Sequence, residues 1–117
     1  MFRALFLILV AMSSFAFAQT QQKPTAYKFF EYETINDRFL KEKLIEFCAD
    51  VRKDGSRGYV INYGKDKEIR RRERKFQNFW TCGDIDAPSV MLVRGGDIGK
   101  SKTELWIVPP KADPPTP

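Results

Sequence analysis

Between Asp66 and Phe76 the chain carries six basic residues, Lys67, Arg70, Arg71, Arg72, Arg74 and Lys75. A guanidinium stays charged at any physiological pH and presents a planar fork of N–H donors to a carboxylate or phosphate. Helical spacing decides which of these side chains is placed for such work. With Ile69 at zero and about 100° per residue, Phe76, Phe79 and Trp80 fall at about 340°, 280° and 20° and define a buried face. Arg70, Arg71, Arg74 and Lys75 fall at about 100°, 200°, 140° and 240°, outside it. Arg72 falls at about 300°, between Phe79 and Phe76, and is the one basic residue of the run aimed at the core edge. There its stem covers apolar surface while the head reaches water, or its fork grips a carboxylate. The other four read as a solvated helix face.

Other chemistry is thinly represented. The chain has no histidine, which removes histidine-based catalysis and the common zinc sites, and leaves the serines and threonines without a histidine base. Asp84 and Asp86 flank an isoleucine without the alternating oxygen ligands of a calcium loop. The run R-G-G-D-I-G-K-S joins two strands and lacks the spacing of a phosphate loop. No catalytic residue, metal or cofactor is expected. Nucleic acid is also not expected as a partner, since no base-reading motif accompanies the arginines.

Residues 1–18, MFRALFLILVAMSSFAFA, combine Arg3, an apolar stretch from Ala4 to Met12 and small residues at Ala16 and Ala18. This pattern predicts a secretory signal peptide cut after Ala18, a periplasmic or secreted location and no membrane span after cleavage. The remaining 99 residues suffice for one domain and carry a net charge of +4, with acids and bases interspersed. Residues 19–25 and the proline-rich 111–117 read as solvated tails around a domain at 26–110. Cys48 and Cys82 are expected to form a disulfide in an oxidising compartment, two reduced structural cysteines being the alternative.

The elements that position Arg72 follow from pattern. Ala26 to Glu33 is aromatic-rich without helical period and predicts a strand. A helix follows, capped either by a Thr34 and Asp37 box or by Asn36, with apolar residues at Leu40, Leu44, Phe47, Cys48 and Val51, and it closes near Asp54 and Gly55. Gly58 to Tyr63, apolar on both faces except at Asn62, predicts an interior strand. A second helix spans about Asp66 to Trp80, and strands are expected at Ser89 to Arg94 and Thr103 to Val108. Strands joined through helices favour parallel neighbours, and the short last turn allows an antiparallel partner. The order β-α-β-α-β-β thus predicts an α+β two-layer sandwich, a mixed four-stranded sheet with two helices on one face.

This order, with G-Y-V-I-N-Y-G at Gly58 to Gly64, R-E-R-K-F-Q-N-F-W at Arg72 to Trp80 and G-D-I-D-A-P-S-V at Gly83 to Val90, resembles the outer-membrane protein A (OmpA)-like domain of Gram-negative envelopes. The resemblance covers roughly Tyr27 to Val108 and is closer to small exported domains ending in E-L-W-x-V-P-P, as Glu104 to Pro110 does. It implies a non-catalytic, peptidoglycan-associated module in which an arginine and an aspartate hold the carboxylate and ammonium of wall-peptide diaminopimelate. Arg72 stands at that arginine, whereas Ile61 stands at the aspartate, with Asn62 and Asp66 as the nearby polar substitutes. The resemblance therefore implies weak or altered peptidoglycan binding, or a structural module that contacts another envelope protein.

Overall fold

The computed structural model describes residues 23–80, 82 and 89–117. The expected signal peptide and the link at 83–88 lie outside the described residues. The elements are β1 (Tyr27–Tyr32), α1 (Asp37–Arg52), a short 3₁₀ turn (Lys53–Gly55), β2 (Arg57–Tyr63), α2 (Asp66–Phe79), β3 (Val90–Gly96) and β4 (Lys102–Val108). They build one mixed sheet in the order β1-β4-β2-β3, with β4 antiparallel to both β1 and β2 and with β2 parallel to β3. The α+β class and the four-stranded mixed sheet are as the sequence predicts. Adjacency differs: β4 lies between β1 and β2, and it pairs with both of them rather than with β3. The β3–β4 connection crosses the end of β2 at Gly64, whose N–H donates to the Gly96 carbonyl at 3.0 Å. A Cβ on Gly64 would come within 2.9 Å of Glu68 Oε2 and 3.3 Å of the Ser101 backbone, so the crossing needs glycine there.

Asn36, not Thr34, caps α1, accepting a 2.8 Å hydrogen bond from the Phe39 N–H. The helix buries Leu40, Leu44, Phe47 and Val51, spaced at one face, against Val60 of β2 and Leu105 and Ile107 of β4. Gly58 permits this approach, since a Cβ there would meet the Phe47 ring at 2.8 Å and Val51 at 3.0 Å. A register shift between Lys28 and Phe30 brings both Phe29 and Phe30 to the helix side, where Phe29 packs 5.7 Å from Phe47. From α2, Phe76 closes the same core, stacked 5.1 Å from Trp80. Cys48 and Cys82 form a disulfide, with Cα atoms 6.0 Å apart, tying α1 to the chain just after α2.

The opposite sheet face carries Tyr59, Trp106 and Val108, and the chain after β4 turns back over it. Ala112, inside the segment 111–117 expected as a solvated tail, is buried against Tyr59 and Val108, and its carbonyl accepts from Arg57 at 3.4 Å. Asp113 then pairs with Lys23 at 3.2 Å, so the two chain ends of the described structure are tied together. Among the described residues no helix is long and apolar enough to cross a membrane.

Candidate functional site: an anion-accepting notch at Arg72

Strands β1, β2 and β3 all run in one direction, so their carboxyl ends and the N-termini of both helices gather at one edge of the sheet. Open α/β sheets commonly bind ligands at that edge, and helix N-termini there favour negative charge. A recess of about 260 Å³ opens at this edge, lined by Tyr32, Glu33, Thr34, Ile35, Leu40, Arg71, Arg72 and Lys75.

Arg72 forms its inner wall. Its Nε donates to Ser101 Oγ at 2.9 Å, its Nη1 to Thr103 Oγ1 at 2.9 Å and its Nη2 to the Glu33 carbonyl, while the guanidinium carbon lies 5.6 Å from the centre of the Tyr32 ring. The side chain therefore joins the exit of β1 to the start of β4. All three acceptors are neutral oxygens, and among the described residues no carboxylate neutralises this charge. Each terminal nitrogen keeps one further N–H beyond these contacts.

Thr103 fixes the orientation of that fork. Its hydroxyl donates to Asn62 Oδ1 at 2.6 Å, which leaves its lone pairs for Arg72. Asn62 is 1% exposed, and its Nδ2 has no partner among the described residues. A buried amide nitrogen left this way costs about 1–3 kcal/mol, offset by the acceptor that its oxygen supplies to Thr103. Burial pushes the Tyr32 phenol up from its ordinary pKa, opposed by Thr103 and the Arg72 charge, so it remains a neutral floor for the recess. On the rim, Lys75 pairs with Asp37 at 2.8 Å and Glu33 pairs with Lys100 at 3.0 Å, leaving Arg71 and Arg72 without an acid within salt-bridge reach among the described residues. The recess suits a small anion, its lining acid Glu33 being already paired with Lys100.

Of the residues proposed from sequence, Arg72 and Asn62 come together, linked through Thr103. Asp66 does not join them. It is held by Arg94 at 3.2 Å and lies 3.6 Å from Arg70. Ile61, at the position of the aspartate in the resemblance, alternates with Asn62 along β2 and so lies on the other sheet face, opposite Glu104. Sequence reasoning missed Tyr32, Ser101 and Thr103. Only the register of β1 and β4 makes them neighbours of Arg72, as when Tyr32 pairs with Thr103.

The face away from the helices holds a second charged group. Glu104 is 5% exposed and accepts from Tyr63 Oη at 3.3 Å and Trp106 Nε1 at 3.0 Å, with Lys102 Nζ at 3.0 Å and Lys28 Nζ at 3.2 Å. Burial raises its pKa, but hydrogen bonds from Trp106, Lys102 and Lys28 outweigh burial and bring it from 4.5 down to about 2. Because the folded-state pKa is depressed, the stabilisation is full above pH 4.5 and disappears as pH falls toward about 2. Its size is of order 3 kcal/mol. Urea unfolding at pH 7, 4 and 2.5 should show that loss in the wild type, whereas Glu104→Gln should start about 2–3 kcal/mol lower at pH 7 and lose correspondingly less on acidification. Equal acid sensitivity of the two proteins would contradict the assignment.

No protein-family model, curated protein or solved structure matches the chain.

Proposed function

We propose that the protein is a non-catalytic, exported cell-envelope module, similar to OmpA-like domains, that holds a carboxylate of the peptidoglycan wall peptide in the Arg72 recess. The observation that carries this reading is the state of Arg72 itself, a charged fork held by neutral oxygens and left without a carboxylate among the described residues. A charge held rigidly at a recess is prepared for an anion, since the ordering cost is met before binding. Support also comes from Arg71 and Lys75 on the rim and from the disulfide, which fits an oxidising compartment.

A second reading is a structural or protein-interaction module without a wall-peptide site. It is favoured by Ile61, which offers no ammonium partner, and by the three guanidinium N–H groups already engaged within the protein.

Retention on purified sacculi separates the two. Under the first reading, Arg71→Gln with Lys75→Gln, on the recess rim, lowers retention about tenfold, and free diaminopimelate competes. Lys67→Gln with Arg74→Gln, an equal change of charge outside the recess, leaves retention within about twofold at physiological salt. If nothing is retained, or if the two pairs of substitutions behave alike, the second reading stands.

A further inference from the structure

The outer face of α2 carries a feature that meets the recess only at Arg71. Lys67, Arg71, Arg74 and Asn78 follow one another at intervals of four, three and four residues, and all are exposed. They therefore form a single line along the helix, opposite the buried Ile69 and Phe76. Like charges at this spacing repel, and a helix stabilised for its own sake would interleave acids among them. The acids of α2 stand off the line: on the same wheel Asp66 and Glu73 fall at about 60° and 40°, whereas Lys67, Arg71 and Arg74 fall at about 160°, 200° and 140°. Arg94 of β3 takes Glu73 through two hydrogen bonds, Nη2 to Oε1 at 2.9 Å and Nε to Oε2 at 3.3 Å, and takes Asp66 at 3.2 Å. Glu68 turns toward Gly64, on the side of the sheet edge. Among the described residues no acid lies within salt-bridge distance of Lys67, Arg71 or Arg74, and Arg70 has only Asp66 at 3.6 Å.

We infer that this line is a docking surface for a linear acidic polysaccharide. The shape of the charge selects the partner. An anionic bilayer is a plane and would also lie on the outer side of α1, where Glu42 and Glu46 pair with Arg38 and Lys43 and offer it no net attraction. A chain of carboxylates lies along α2 and avoids them. Single-stranded nucleic acid has the same linear charge but gains much of its affinity from bases stacked on aromatic rings, and the line bears only lysine, arginine and asparagine.

The test uses the purified protein and immobilised polygalacturonate at low salt. Lys67→Gln with Arg74→Gln, which leaves the recess residue Arg71 in place, lowers retention about fivefold or more, and retention falls steeply with salt. Arg38→Gln with Arg52→Gln, the same charge change on α1, lowers it less than about twofold. Equal losses from the α1 and α2 pairs would overturn the inference. So would tighter binding to phosphatidylglycerol vesicles or a thymidine oligonucleotide than to polygalacturonate. None of these outcomes bears on the recess, which is read by diaminopimelate competition on sacculi.

Discussion

Replacing Cys48 and Cys82 together by alanine is expected to lower the unfolding free energy by about 4 kcal/mol and the midpoint of thermal unfolding by about 20 °C. The bond closes a loop with a sequence separation of 34, and cross-linking a loop of that length restricts the unfolded chain by about 4 kcal/mol in the entropic account. A single small domain has a limited apolar core, so this is a large share of its stability. The bridge also fixes where the chain leaves α2. Phe76, Trp80 and Phe47 pack together beside it, with the Phe47 and Trp80 rings 6.1 Å apart. Circular dichroism melts of the oxidised wild type and the double variant measure the effect. A difference under about 1 kcal/mol would mean that helix packing alone holds this corner.

Arg72→Ala is expected to cost about 3–4 kcal/mol, more than an exposed arginine contributes, because three hydrogen bonds from a charged donor disappear together. The loss has a second part. Without Arg72, Thr103 keeps its bond to buried Asn62 but loses its charged partner, and the exit of β1 is no longer joined to β4. Arg72→Met, which keeps the apolar stem, should lose nearly as much as alanine, while Arg72→Lys should retain the charge and recover only part of the loss. Urea unfolding of the three variants ranks them. If methionine proves as stable as the wild type, the side chain acts through packing and the hydrogen bonds contribute nothing.

Local periodicity made much of this molecule legible. The four buried positions of α1, Leu40, Leu44, Phe47 and Val51, and the pairing of Ile69 with Phe76 in α2 follow from the helical repeat, so both helices and their buried faces could be read directly. The same repeat singled out Arg72. What it does not carry is strand adjacency. The five residues between β3 and β4 look like a hairpin turn, yet they span β2, because Leu105 and Ile107 are needed opposite α1 while Trp106 and Val108 cover the other face. Strand β4 is thus apolar enough on both sides for an interior position. The partners of Arg72 come from β1 and β4, far away in sequence, and only that pairing reveals them. Asp66 was misplaced for a related reason, since the arginine that captures it lies on β3 and not on its own helix.

The most direct measurement is a titration of meso-diaminopimelate into protein labelled with ¹⁵N-arginine, following the side-chain Nε–H signals. The Arg72 signal should stand apart from the exchange-averaged arginines before ligand is added, in keeping with its bonds to Ser101, Thr103 and Glu33, and should shift saturably as the recess fills. An Arg72 signal that merges with the solvated arginines, or that stays fixed while others move, would contradict the account.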